Sequence, residues 1–415
     1  MKQGYLSQYF EAVGLKRLSA VEADVLKSNQ HEFNGVEGLR RMLGEPAEGK
    51  QSYSARFLYL NDHDDEPVSD DGYLTWYDAR QKARLERGVM RTEYRLYFPT
   101  NLVSQCAAEG DLLVIAKYQD KFGKALLAIV AEQGSTIERQ LLWLFGHDNL
   151  AHPGFSVKSE LETDQDRIGF ATRVVLEQIG VELEDEAPNY LEEMLKNFGG
   201  DFPKSLVFSA YARNTIKGID SRDDPDSVLM AWMEKEEILY RTLEKYLLGQ
   251  QIVELQKASE IDTDAYMKVT LSFQQRRKSR AGSALENHLE QIFIDHKVTY
   301  SRTQVTENNL KPDFIFPSIN KYHNNQFDAN RLTMLAAKTT CKDRWRQIIN
   351  EAARIPLKHL ITLEPSISEN QTNEMRAENV QLVIPHSLFG SYKEPQLKWL
   401  MNLQGFIGLA HSRQT

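Results

Sequence analysis

Residues 311–354, KPDFIFPSINKYHNNQFDANRLTMLAAKTTCKDRWRQIINEAAR, constrain this chain more than any other stretch. Two short apolar runs, 314–316 and 332–340, have the length and composition of strands, and a polar segment joins them. Asp313 stands at the start of the first run and Lys338 near the end of the second. Residues 342–354 then bring Trp345, Ile348, Ile349 and Ala352 round at three- and four-residue steps, which predicts a helix with Glu351 near its C-terminal end. An acid, a lysine and a second acid are thus expected on strand, strand and helix. Two carboxylates suit a hard divalent cation such as Mg2+, and a lysine beside a phosphate orients water or offsets developing negative charge. The set therefore suits metal-assisted phosphodiester hydrolysis.

The order and spacing resemble the catalytic core of the EcoRII-like restriction endonucleases, a branch of the PD-(D/E)xK nucleases. The common form of that motif has its second acid two residues before the lysine, where this chain has Ala336. The EcoRII-like branch takes the carboxylate from the following helix, in the order PD, long spacer, K, twelve residues, E, and Asp313, Lys338 and Glu351 fit that order. Upstream, RRKSRAGSALENHLE at 276–290 is similar to the segment leading into the family's helix that supplies a further acid, with Glu286 at the matching position. On the residues alone, Leu285, Leu289, Ile292 and Phe293 form an apolar helical stripe, and Glu286, one step off it, reads as a solvated charge. The resemblance makes it part of the acidic site. It implies that Asp313 and Glu351 hold Mg2+, that Lys338 assists the attacking water, and that residues 201–415 form an α/β restriction-endonuclease-like domain.

Lys342, Asp343 and Arg344 follow the Lys338 strand directly. An acid can accept from the exocyclic amine of cytosine and an arginine can bind guanine, which suits a C·G pair; equally, Asp343 at a helix start can cap it or complement its dipole. In the resembling enzymes this segment reads adjacent C·G pairs, so the implied target is double-stranded DNA with a CC/GG-flanked site. Arg276, Arg277, Lys278 and Arg280 are expected to clamp phosphates. Cutting both strands of a near-palindrome calls for two sites related by a two-fold, hence a homodimer, with the Trp232-bearing helix as one candidate interface.

At 415 residues the chain has room for two or three domains. No apolar stretch approaches bilayer length, and MKQGYLSQYFEAVG has neither a basic leader nor an apolar signal core, which predicts a cytoplasmic protein without membrane attachment. Cys106 and Cys341 alone give neither a disulfide framework nor a zinc-ligand spacing, and Cys341, without a supporting His, reads as a bystander. The net charge of −9 argues against a nucleic-acid partner only if charge is spread evenly, and here it is segregated. Basic residues gather at 80–95, 276–280 and 338–346, and acids in NDHDDEPVSDD and ELEDEAP.

Residues 1–180 carry strand patterns at 55–60, 94–98, 111–118 and 124–132, with the acidic run 61–71 as a loop, so a mainly β domain is expected. This part is similar to the family's N-terminal effector domain, a B3-like DNA-binding pseudobarrel in which two loops grip the major groove. By position one arm includes His31 and Asn34 and the other Arg84, Arg87 and Arg91; read without the family, this arginine-rich run is a solvated surface. Residues 181–200, with a helical pattern in NYLEEMLKNFGG, are expected to connect the domains, either as a linker or as an added helical element. The resemblance implies a Mg2+-dependent type II, specifically type IIE, restriction endonuclease, and in the family the N-terminal domain inhibits the nuclease until it binds a second copy of the site, which is the expectation carried to this chain. Two other classes stay open: an anti-phage defence nuclease triggered by modified DNA or another signal, and a catalytically silent DNA-binding protein.

Overall fold

The computed structural model describes the chain except residues 1, 25–30, 35, 47–48, 65, 89, 124, 148–149, 151–153, 184–187, 258–261 and 415, with backbone only at 120, 188–189 and 342–343. The chain divides into two compact units, one of Met1–Val181 with Ser366–Ser368 and one of Glu182–Pro365 with Glu369–Thr415. Among the described residues no helix is long and apolar enough to cross a membrane.

The first unit is built on a mixed sheet of strands β1 (Phe10–Arg17), β2 (Glu32–Phe33), β3 (Lys50–Leu60), β4 (Val68–Asp78), β5 (Tyr94–Tyr97), β6 (Leu112–Tyr118), β7 (Ala125–Ala131) and β8 (Ser156–Lys158). The hydrogen-bonded order is β2-β5-β4-β3-β7-β6-β1-β8, with β3 and β7 parallel and the other pairs antiparallel. Along β3 the alternation that defines a half-buried strand is plain: Tyr53, Ala55 and Phe57 are buried, and Ser52, Ser54 and Arg56 are exposed between them. The core beneath gathers Phe33, Leu39, Phe57, Leu74, Trp76, Leu96 and Leu113. The described residues of the acidic run are loop as expected up to Pro67, and only its last four residues depart from that. β4 begins at Val68 and pairs Asp70 with Phe57 and Asp71 with Arg56 across the ladder. Asp71 is exposed and Asp70 accepts a hydrogen bond from Leu102 N at 3.0 Å, so neither charge has to enter the core.

The second unit has a mixed sheet in the order β13-β12-β11-β10-β9, comprising β9 (Ser301–Arg302), β10 (Phe314–Phe316), β11 (Thr333–Lys338), β12 (Lys358–Thr362) and β13 (Val380–Val383). β11, β12 and β13 run parallel, and β10 is antiparallel to both β11 and β9. Long helices Pro225–Gln256 and Thr263–Asp295 pack with Ser205–Asn214. Both long helices start for a local reason: the Asp224 and Asp262 carboxylates accept from Ser227 N and Ala265 N, at 3.0 and 2.9 Å, and Pro225 occupies the first turn.

Of the two readings left open for residues 181–200, linker or added helical element, the helix Pro188–Phe198 fits the second, since it buries Met194 completely in one cluster with Phe208, Leu239, Tyr240 and Phe273. Trp232 is buried in the core rather than offered on a surface, because its helix face is already covered within the unit.

Candidate active site

Asp313 immediately precedes β10, whose three residues are buried. The β10–β11 ladder sets Phe314 opposite Leu335, which brings the Asp313 side chain to the C-terminal end of β11. There its Oδ2 accepts from Ala337 N at 2.8 Å and from Lys338 Nζ at 3.0 Å. The strand register thus joins the aspartate and lysine, although 24 residues lie between them in sequence. Lys338 stays partly exposed, so its ammonium is held by Asp313 and still reaches solvent.

Glu351 arrives differently from the expected helix. Residues Lys342–Asn350 form a 3-10 helix, and Glu351 is its C-terminal cap in extended conformation. In a 3-10 helix residues three apart share a face. Trp345 and Ile348 are buried on that face, and the next step of three is Glu351, which is carried inward with them. Its Oε2 is buried and has no hydrogen-bond partner among the described residues. Burial and then the like charge of Asp313 push its carboxyl up to about 7, with Lys338 and Lys358 pulling the other way. The chain beyond it is tied down by side chains that sequence reading passed over. Lys358 donates to the carbonyls of Ala352 and Ile355 at 2.7 and 2.6 Å. Arg354 donates to the carbonyls of Tyr322, Asn324 and Phe327, and Glu307 accepts from the Tyr322 hydroxyl at 2.5 Å and from Ala353 N at 3.3 Å.

Glu286 lies on the Thr263–Asp295 helix. Burial and then the Asp313 charge raise its carboxyl above the usual range, while Arg302 and Lys338 act against them. Lys338 and Asp313 therefore act electrostatically on both glutamates. Arg302, which the sequence did not single out, donates to Glu286 Oε2 at 3.0 Å and to Glu290 Oε2 at 2.6 Å. The one signal that pointed there is its place on the segment leading into Pro312–Asp313.

The remaining expected contacts divide. Arg280 is not available to clamp a phosphate: it is buried, paired with Glu236 and Glu237, and its guanidinium sits 4.3 Å from the centre of the Tyr240 ring. Those acids lie on the neighbouring helix, and a buried charge needs such partners. Arg277 is exposed but engaged by Glu244 at 2.6 Å, Arg276 lies over Phe202, and Lys278 is exposed. Arg344 is exposed, whereas the side chains of Lys342 and Asp343 lie outside the described residues. Cys341 is buried, and burial pushes its thiol well up.

In the first unit His31, Asn34 and Arg91 line one cleft of about 930 Å³ together with Glu32, Glu93 and Arg95. Arg84 is instead drawn to Asp78 at 2.7 Å, and Arg87 is exposed at the end of helix Gln81–Arg87.

Among the described residues no three His, Cys, Asp or Glu side chains form a ready-made metal cage. The donors still fit Mg2+. That ion takes oxygen ligands, binds through one or two carboxylates together with water and substrate phosphate, and would give the unpartnered Glu351 Oε2 a counter-charge.

Comparison with known proteins bears on these residues. Residues 240–407 match the family model described as EcoRII C terminal. The type II restriction enzyme EcoRII of Escherichia coli is 38% identical over 229 residues, 55% of this chain and 55% of that protein. The type II restriction enzyme SsoII of Shigella sonnei is 31% identical over 126 residues, 28% of this chain and 40% of that protein. The chain thus spans about half the length, or less, of the curated relatives it matches. Among solved structures, metal-depleted Ecl18kI in complex with uncleaved, modified DNA aligns over 55% of this chain and 85% of that one, with a TM-score of 0.44 at 19% identity. The restriction endonuclease PspGI–substrate DNA complex aligns over 55% and 92%, with a TM-score of 0.39 at 15% identity. The matched segment, residues 240–407, contains Glu286, Asp313, Lys338 and Glu351.

Proposed function

We propose that this chain is a Mg2+-dependent type II restriction endonuclease that hydrolyses phosphodiester bonds in double-stranded DNA. The observation that carries the reading is the meeting of Asp313 and Lys338 at 3.0 Å, beside a half-buried Glu351 whose ionisation both influence. Relatives of that domain are named type II restriction enzymes. Asp313 and Glu351 are the residues that would hold Mg2+, which when bound lowers the charge of the phosphate and the pKa of water. Lys338 supplies a fixed positive charge beside the scissile phosphate and orients the attacking water. Asp313, accepting from both Ala337 N and Lys338 Nζ, fixes where that ammonium sits. Glu286 completes the acidic site.

The finer parts of the reading follow the family resemblance. Residues 1–180 serve as a B3-like effector domain, with the His31, Asn34 and Arg91 cleft as its DNA face, and the nuclease domain occupies 201–415 with the preceding helix packed onto it. The target is a CC/GG-flanked site approached by Arg344, Arg276 and Lys278, and two copies act together so that both strands are cut.

Plasmid DNA incubated with Mg2+, followed by sequencing of the product ends, tests the proposal. Lys338→Ala is expected to lower the cleavage rate by about a thousandfold, the scale on which a preorganised charge at the reacting group contributes. A variant that cuts as fast as the parent sinks the residue assignment. Cutting restricted to modified DNA favours the defence-nuclease reading, and DNA binding without Mg2+-dependent nicking favours the silent one.

A further inference from the structure

Arg302 sits where three parts of the proposed site meet. It lies on β9 directly opposite Phe314, the residue after Asp313, and the neighbouring Thr303 N donates to the Asp313 carbonyl at 3.0 Å. Its guanidinium forks toward the Thr263–Asp295 helix, with Nη1 on Glu290 and Nη2 on Glu286. Those two acids are one helical turn apart, a spacing that a single planar fork can span.

The two ends of the fork are unequal. Glu290 is used up as an anchor, because its Oε1 accepts from the Tyr300 hydroxyl at 3.0 Å and its Oε2 takes Arg302. Glu286 gives only Oε2 to Arg302, and its Oε1 has no hydrogen-bond partner among the described residues. The guanidinium is partly exposed, but both of its terminal nitrogens are already engaged by carboxylates, which a phosphate would have to displace. Glu286 meanwhile feels the charges of both Asp313 and Lys338. An unrestrained carboxylate there would swing away from Asp313, since like charges repel across a partly desolvated space.

We infer that Arg302 is a positioning residue: anchored through Glu290, it holds one oxygen of Glu286 and so fixes the other toward the Asp313–Lys338 pair. The inference rests on the nuclease reading and adds to it a residue outside the acid–lysine–acid motif. A plain strut between β9 and the helix would need the same contacts, so the test must separate stability from turnover.

Single-turnover cleavage at saturating protein, and DNA affinity measured in EDTA, are compared for the parent, R302Q and R302K under conditions where each is folded. R302Q is expected to cleave about tenfold to a hundredfold more slowly, the range for a misplaced reacting group, with affinity kept within about threefold. R302K, whose ammonium reaches one carboxylate and not both, is expected to recover part of that loss. If R302Q does not fold, R302K alone carries the measurement with a loss of about threefold to tenfold. In the metal-free protein, R302Q should shift the urea midpoint less in an E286Q background than in the parent, because the contact is then already broken. Cleavage by the foldable variant within about twofold of the parent overturns the inference, as does affinity falling in step with rate, which would make Arg302 a DNA contact. A parent that never cleaves sinks both this and the nuclease reading, whereas an active parent with an indifferent Arg302 sinks this alone.

Discussion

A buried carboxylate oxygen with no partner is costly, and Glu351 Oε2 carries that cost among the described residues. Its carboxyl lies near 7 in the folded chain against 4.5 in the unfolded one, so the folded state holds the proton more tightly. The stability it contributes is therefore fully present below pH 4.5 and is lost as pH rises through about 7. Above that, in the absence of metal, the charged group works against folding. Glu351→Gln removes the charge and keeps the shape, so it should stabilise the metal-free protein at pH 8 by about 1–3 kcal/mol, a range that discounts the shift for partial solvent access, and change little at pH 4. Urea unfolding in EDTA at the two pH values reads this directly, and an equal effect at both would refute it. Asp313 and Lys338 were legible at this scale because each borders a short apolar run whose strand period is visible. Arg280 was not: among the basic residues of 276–280 it looks like its neighbours, and only Glu236 and Glu237, more than forty positions away, make it a core residue.

At the scale of elements, the interesting failure is the 342–350 helix. Three- and four-residue apolar steps do not separate an α-helix from a 3-10 helix over so short a run, since Trp345 to Ile348 suits either. What decides is tertiary. The chain must turn at once after Glu351 to reach β12, and it does so through Ala352, in the left-handed region at φ 48°, with Lys358, Arg354 and Glu307 holding the segment. Arg354 is the broadest of these ties, reaching three carbonyls between Tyr322 and Phe327. Arg354→Ala should cost about 2 kcal/mol of stability, the scale of losing charged hydrogen bonds, and should slow cleavage where the protein is still folded, because Glu351 loses its backing. A thermal unfolding scan beside single-turnover kinetics checks both parts; a destabilised variant with the parent's rate would detach this tie from the site. β4 shows the opposite error: the end of an acidic sequence read as a loop is strand from Val68, because Asp71 faces outward across a regular ladder and Asp70, on the inner face, accepts from Leu102 N.

At the scale of the whole chain, the boundary between units changes how the proposed autoinhibition has to be tested. The acidic stretch before residue 201 reads as a connection in sequence, yet helix Pro188–Phe198 completes the second unit's core: Met194 is fully buried, and Phe198 packs against Phe208 and Tyr211 with ring centres 5.9 and 5.2 Å away. Its low mean apolarity hid this, because the buried side chains occupy one face while Glu192 and Glu193 face water. Fully burying a large apolar side chain is worth about 1.5–3 kcal/mol, so losing Met194 together with the partly buried Leu191, Leu195 and Phe198 takes on the order of 5 kcal/mol from a unit of ordinary stability. A fragment beginning at 201 should thus unfold at distinctly lower urea than one beginning at 182, and a weak nuclease from the shorter fragment would say nothing about inhibition. The 182–415 fragment is the proper comparison for the full chain. If the first unit restrains the nuclease, this fragment cuts DNA bearing a single site faster than the full chain, and adding a second, uncleaved copy of the site speeds the full chain alone. Equal rates from two equally stable proteins would remove the control over cleavage proposed for the first unit.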